Sequence, residues 1–316
     1  MSHFSGGVSV VIPAYRVSSY IVETLQSVFA QTTAPAEVIV VNDGCPDTEN
    51  LERALAPFRE RIQYLTQPNR GAAAAKNTGI RAASQEWIAT IDADDRWRPE
   101  YLAVQTQRIA ADPSIDVLGC DAILFGETPL AGTRFSRYCP LNNPVDFRGL
   151  VLQECNVFTS ALSRKRALLD VGIFDESVRH VEDFDLWVRL TKAGARIVVH
   201  SEVLADYRVR AGSLTSNIAV CRNEVIQLLA SYPALLSLSP AEREVAATAS
   251  RRFHALLDLH VGKQALRQGD FAEAQLRLAA ANRFLRNPKT AAFVWMLKLS
   301  PGFAAGAERW LRRRAE

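Results

Sequence analysis

The sequence predicts an α/β protein built on a mainly parallel sheet and continued by an all-helical extension. Three observations predict it. In the first hundred residues, short apolar runs alternate with segments of helical periodicity. The runs are apolar throughout, as in strands covered on both faces. Beyond about Thr215 such runs disappear and only helical patterns continue. Alternation of this kind places helices on both faces of a parallel sheet.

Each element has its own signal. Val8-Ser9-Val10-Val11-Ile12 reads as the first strand, stopped by Pro13. Ser18 and Ser19 can cap a helix whose apolar face is Ile21, Val22, Leu25, Val28 and Phe29. Val38 to Val41 is a second strand and ends in Asn42-Asp43-Gly44. A helix through Leu51 and Leu55 follows, then a short strand near Ile62 to Leu65. Gly71 opens an alanine-rich helix to Ala83, and Trp87 to Ile91 is the next strand. Pro99 starts the helix after it. From Asp116 to Phe125 a further strand is expected, and then a loop rich in Gly, Pro and Asn from Gly126 to Pro144. Glu182 to Gly194 reads as a helix; Arg196 to Val199 and Val203 to Val209 read as two closing strands.

The remainder, from Asn217, reads as helices. Leu266 to Ala274 has the pattern of helix, tight turn and helix, as in a single tetratricopeptide-type hairpin without a second copy. The domain boundary falls near Ser216, giving a domain over 1–215 and a helical domain over 216–316. In the latter, Phe303, Ala307, Trp310 and Leu311 share a helical face beside Arg309, Arg312, Arg313 and Arg314. That composition suits a peripheral contact with an anionic membrane or a terminal helix packed on its own domain.

Composition narrows the function classes. A net charge of +3 over 316 residues is too small to point to nucleic acid. Cys45, Cys120, Cys139, Cys155 and Cys221 are scattered, odd in number and without CxxC spacing, which argues against zinc and a disulfide framework. Reduced thiols fit a cytoplasmic protein. Met1 to Gly7 lacks a signal-peptide core, and no segment has the ~20 apolar residues of a spanning helix.

The chemistry concentrates at strand ends. In a parallel sheet ligands bind beyond the carboxyl ends of the strands, so Pro13, Asp43 and Asp92 to Asp95 should share one rim. Ile88-Ala89-Thr90-Ile91-Asp92-Ala93-Asp94-Asp95 delivers three carboxylates from an apolar run. Buried carboxylates are costly unless a cation meets them, and hard divalent ions prefer oxygen ligands. Asp92 and Asp94 would point the same way, ~6–7 Å apart if extended. By spacing alone the run is either a metal site or a solvated turn. An EF-hand loop is excluded, because Arg96 and Ala103 stand where oxygen ligands are needed.

Several motifs occur together and in order. They are Val8 to Tyr15, Tyr20-Ile21-x-Glu23-Thr24-Leu25-x-Ser27-Val28, Val40-Val41-Asn42-Asp43-Gly44, Asn69-Arg70-Gly71, Asn77-x-Gly79, Asp92-Ala93-Asp94-Asp95 and Glu182-Asp183-Phe184-Asp185-Leu186-Trp187-x-Arg189. Over roughly Val8 to Arg210 the chain resembles family 2 glycosyltransferases of the GT-A fold. The resemblance implies an inverting, hexosyltransferase-type enzyme of polysaccharide or cell-envelope biosynthesis. Its donor would be a nucleotide-diphosphate sugar, most simply UDP-linked, and its acceptor a glycan, a lipid-linked or a protein-linked hydroxyl. It would work in the cytoplasm or at the inner face of the membrane.

The resemblance also implies roles. Pro13, Ala14 and Tyr15 line the nucleotide base, Asp43 accepts a hydrogen bond from it, and Arg70 faces the phosphates. Mn²⁺ or Mg²⁺ sits on Asp94, with Asp92 close to the ribose or the metal. Asp95 supports that site or caps the following helix. Asp183 is the general base, in the first turn of a helix whose positive end favours a charged carboxylate. Glu182 is a sugar contact or a first-turn acid, and Trp187 is a core residue or an acceptor wall. His180 is a rival base by chemistry alone. Arg210 stands where many relatives have a histidine; it can clamp a diphosphate but cannot ligate a metal. A nucleotidyltransferase of related fold, or a scaffold acting through the helical tail, are the alternatives. The first lacks a glycine-rich loop with a phosphate-gripping lysine, and intact carboxylates weigh against the second.

Overall fold

The computed structural model describes Phe4, residues 6–210, Ser213 and residues 217–299. The chain divides into two compact units, Met1–Ser216 and Asn217–Glu316.

The first unit begins with β1 (Val8–Ala14), α1 (Ile21–Phe29), β2 (Glu37–Asp43), α2 (Thr48–Leu55), β3 (Gln63–Gln67), α3 (Ala72–Ala82) and β4 (Trp87–Thr90). It continues through β5 (Arg96–Trp97), α4 (Tyr101–Ala111), β6 (Val117–Gly126), α5 (Phe147–Val151), β7 (Leu162–Arg164), α6 (Lys165–Asp170), α7 (Glu182–Lys192) and β8 (Ile197–Val209). The sheet order is β3-β2-β1-β4-β7-β6-β8-β5. β1 to β4 are mutually parallel, β6 and β8 are parallel to each other, and β7 is antiparallel to both β4 and β6. β5 closes the edge antiparallel to β8. The sheet is therefore mixed, with only the two shortest strands reversed.

The core follows from the apolar runs. Val10, Val11, Ile12, Ile39, Val40, Val41, Ile88 and Ala89 are fully buried. Helix α3 lies so close to β1 that its contact residues must be small. Ala73, Ala74 and Ala75 are buried, and a Cβ on Gly79 would stand 2.4 Å from Val11 Cγ1. Asn77 ties α3 to the chain before α7: its Nδ2 donates to Phe174 O at 2.9 Å and its Oδ1 accepts from Phe174 N at 3.0 Å.

Four local expectations change. Helix α1 has no side-chain cap, and Ser18 donates to Asp47 instead. Helix α4 starts after Glu100, two residues beyond Pro99. The two closing strands are one, β8, because His200, Ser201 and Glu202 bulge where the register against β6 shifts beyond Gly119. The short strands β5 and β7 had no periodic signal.

The second unit holds α8 (Ile218–Leu235), α9 (Pro240–Gln268), α10 (Phe271–Leu285) and α11 (Pro288–Leu299). Ser239 and Glu242 form a capping box that starts α9. Gly269, at φ 84°, ends α9 in the left-handed conformation, and the Asp270 side chain caps α10. Ala265, Leu266, Ala274, Leu278, Val294 and Leu297 form the core of this hairpin. Among the described residues no helix is long and apolar enough to cross a membrane. The basic face expected over Phe303 to Arg314 lies outside the described residues.

Candidate active site

A cavity of about 560 Å³ opens at the carboxyl ends of β1, β2 and β4, beside the start of α7 and the end of β8. Its wall includes Pro13, Ala14, Tyr15, Asp43, Asp92, Asp94, Glu182, Asp183, Arg208 and Arg210.

Asp43 ends β2 and is 2% exposed. Its carboxylate organises the loop between β3 and α3. Oδ1 accepts from Gln67 Nε2 at 2.7 Å and Arg70 N at 2.9 Å; Oδ2 accepts from Gly71 N at 2.8 Å. Gln67 is itself oriented by Thr78, whose hydroxyl donates to Gln67 Oε1 at 2.5 Å. The close approach of the Asn69 backbone, 2.5 Å from where a Cβ on residue 44 would lie, requires Gly44, which sits at φ 62°. Two oxygens have about four acceptor directions, so three donors leave Asp43 one direction for a ligand.

Asp92, Asp94 and Asp95 follow β4 in a turn closed by Asp95 N donating to Asp92 O at 3.0 Å. The end of β8 clamps this turn. Arg210 Nε pairs with Asp94 Oδ2 at 2.6 Å, Arg208 Nε donates to Asp94 O at 2.7 Å, and Arg208 N donates to Asp95 Oδ1 at 2.8 Å. Asp95 is fully buried and its Oδ2 has no partner. Burial, with the nearby charges of Asp92 and Asp94, pushes its carboxyl well above the usual range.

The centre of the site is a residue that sequence reading missed. Lys76 projects from α3 with a side chain only 1% exposed. Its Nζ lies 2.9 Å from Glu182 Oε1, 3.2 Å from Asp183 Oδ1 and 3.7 Å from Asp92 Oδ1. The Phe174 ring packs 5.2 Å from the ammonium. Burial works against the charged lysine, but the fields of Asp183, Asp92 and Glu182 outweigh it and hold its pKa well above that of a free lysine. Burial in turn raises Glu182 and Asp92 despite the opposing charge of Lys76. Asp92 is 34% exposed and lines the cavity. The only sequence signal for Lys76 was a lone cation in the alanine-rich run before Asn77.

Three candidate side chains lie outside the cavity wall. The Arg70 guanidinium is half exposed and paired with Glu176; only its backbone N–H reaches the site, through Asp43. Trp187 is 2% exposed within the α7 core. It takes the packing role, because Leu186, Trp187 and Leu190 share the inner face of α7. Asp95 accepts from Arg208 N and does not cap α4. His180 does line the cavity, beside Arg179.

The sequence profile described as glycosyl transferase family 2 matches residues 9–169. The chain is 33% identical over 223 residues to the succinoglycan biosynthesis protein ExoO of Rhizobium meliloti, a match covering 66% of this chain and 62% of ExoO. It is 29% identical over 201 residues to an uncharacterized glycosyltransferase of Rickettsia conorii, covering 58% of this chain and 31% of that protein. The chain thus spans under a third of the second relative and under two thirds of the first. In three dimensions it is similar to S. aureus TarS 1-349 in complex with UDP-GlcNAc, with a TM-score of 0.64 at 17% identity, covering 98% of this chain and 92% of that one. It is also similar to the Pyrobaculum calidifontis mannosyltransferase PcManGT in complex with GDP-Man and Mn²⁺, with a TM-score of 0.59 at 19% identity, covering 98% and 88%. These likenesses bear out the GT-A fold with an all-helical extension.

Proposed function

The chain belongs to glycosyl transferase family 2, and from that premise we propose that it is a glycosyltransferase that moves a sugar from a UDP-sugar to an acceptor hydroxyl with inversion. The observation that carries this reading is the convergence of Asp43, Asp92, Asp94 and Asp183 on one cavity from separate elements. Asp43, with its one remaining acceptor direction, reads a single base N–H, as uracil offers. Pro13, Ala14 and Tyr15 line the base. Asp183 is 27% exposed on the cavity wall and accepts the proton of the attacking hydroxyl. Attack from the side opposite the leaving diphosphate inverts the anomeric centre. In this reading Glu182 accepts from a donor-sugar hydroxyl.

A divalent cation fits the chemistry of the turn after β4, whose donors are carboxylate oxygens. Among the described residues, no three His, Cys, Asp or Glu side chains gather as a metal cluster. Asp94 would hold Mn²⁺ or Mg²⁺, with Asp92 nearby. Bound there, it would supply Lewis-acid stabilisation of charge on the leaving diphosphate. Arg208 and Arg210 bring cationic groups to the same edge of the cavity. ExoO is named for succinoglycan biosynthesis, which supports a glycan or lipid-linked glycan as acceptor.

Asp183→Asn is expected to lower sugar transfer by about 1,000-fold while calorimetric UDP binding survives. A fully active Asp183→Asn enzyme sinks the base assignment. Asp94→Ala is expected to remove the Mn²⁺ dependence of UDP binding; if that dependence persists, the cation site lies elsewhere.

A further inference from the structure

We propose that Lys76 is a positioning residue, whose ammonium holds one oxygen of the Asp183 carboxylate so that the other is presented to the acceptor hydroxyl. This rests on Asp183 being the base.

The geometry is specific. Asp183 Oδ1 is held at 3.2 Å, and the same Nζ binds Glu182 Oε1 at 2.9 Å and pairs with Asp92 Oδ1 at 3.7 Å. An ammonium has three donors, and here they face three carboxylates. Its side chain is 1% exposed, so Lys76 acts through its partners and does not reach a phosphate directly. The carboxylates come from two places: Asp92 follows β4, while Glu182 and Asp183 open α7. Lys76 therefore fixes the distance between the donor side of the cavity and the base.

The lysine is itself fixed. Asn77 clamps α3 to the backbone of Phe174, and Gly79 lets α3 sit against Val11. Rigid support on a helix is what an aligned base needs, because small misplacement of a reacting group costs rate steeply. A purely structural ion pair would be buried at both ends. Here one end is 1% exposed and the Asp183 end is 27% exposed on the cavity wall.

Two measurements on the full chain test this. The chain has six lysines, so ¹⁵N-lysine labelling with Lys76→Arg as reference assigns the Lys76 ammonium resonance. Asp183→Asn should shift that resonance; an unmoved resonance overturns the proposal. The kinetic arm follows UDP release from UDP-glucose and UDP-N-acetylglucosamine. Lys76→Met should lower kcat by about 100-fold and leave the donor KM within about threefold. Lys76→Arg should recover about tenfold of the loss, and adding Lys76→Met to Asp183→Asn should cost nothing further. A raised KM with kcat intact, or equal losses in both backgrounds, overturns it. If Lys76→Met does not fold, Lys76→Gln takes its place in the same comparison. If the unmodified chain releases UDP from neither donor, the sugar-transfer reading fails, and the resonance still decides the Lys76–Asp183 pair.

Discussion

Replacing Asp43 with asparagine alters one atom of a side chain that no orientation of an amide can imitate. Three donors converge on the carboxylate: Gln67 Nε2 and Arg70 N on Oδ1, and Gly71 N on Oδ2. An amide nitrogen at the Oδ2 position opposes the Gly71 N–H; at the Oδ1 position it opposes the other two. The first orientation is cheaper. It forfeits one charge-assisted bond and strands a backbone N–H, costing about 2–4 kcal/mol in the loop. At 2% exposure, water cannot compensate much. The assay is hydrogen exchange by mass spectrometry over residues 69–72, which reads this loop without assuming that the two units unfold together. A cost of that size accelerates exchange there by about 30-fold or more, at 1.4 kcal/mol per factor of ten. UDP affinity is expected to fall in parallel, because the free acceptor direction lies on Oδ2, where the amide presents a donor instead. Unchanged exchange over residues 69–72 would refute the view that Asp43 organises the loop.

Gly79→Ala sets helix propensity against packing. The ~1 kcal/mol gained in α3 is smaller than the cost of a Cβ 2.4 Å from Val11 Cγ1, so a net loss of about 1–2 kcal/mol is expected in chemical denaturation, relieved by Val11→Ala. Arg210→Ala should weaken UDP binding about tenfold and, by freeing Asp94, tighten Mn²⁺ binding without nucleotide, read by electron paramagnetic resonance; no change in either refutes the pairing. His200 is pushed down to about 4 by burial and by Arg108, and it shares a 3.0 Å hydrogen bond with Gln105 Oε1. The unfolded chain protonates near 6.5 while the folded one resists, so the contribution is present above pH 6.5 and lost as pH falls toward 4. Allowing for partial solvent screening, His200→Gln should remove about 1–2 kcal/mol of this acid sensitivity, measured by urea unfolding at pH 7 and pH 4.5.

What could be read in advance depended on range along the chain. β1, β2 and β4 were legible because burial on both faces leaves continuous apolar runs. β5 and β7, at two and three residues, are too short to carry a period, and they owe their pairing to β8, β4 and β6. The carboxylates were found because they sit at strand ends inside ordered motifs. Lys76 was not, because its partners at 182 and 183 lie more than a hundred residues away and only the fold unites them. Arg70 misleads for a related reason. Its position reaches the site, but the group that does so is the backbone N–H, which every residue except proline carries.

The charges of the cavity bear on how a donor can bind. Asp92, Asp94, Asp95, Glu182 and Asp183 meet Lys76, Arg208 and Arg210, and each of these cations already contacts a carboxylate or its backbone. A diphosphate arriving alone would add at least two negative charges to an edge whose cations are engaged. A divalent cation reaching Asp94 changes both sides of that balance. Bound there, such an ion would offset the carboxylate's charge and leave Arg210, whose planar fork matches phosphate, to the diphosphate. In that reading the Arg210–Asp94 pair would be a phosphate clamp held in reserve. Linkage makes this quantitative: if the exchange occurs, UDP tightens Mn²⁺ binding by the same factor by which Mn²⁺ tightens UDP, and Arg210→Ala reduces that shared factor. Equal coupling in both proteins would mean that the arginine is a bystander and that the cation acts on the diphosphate alone.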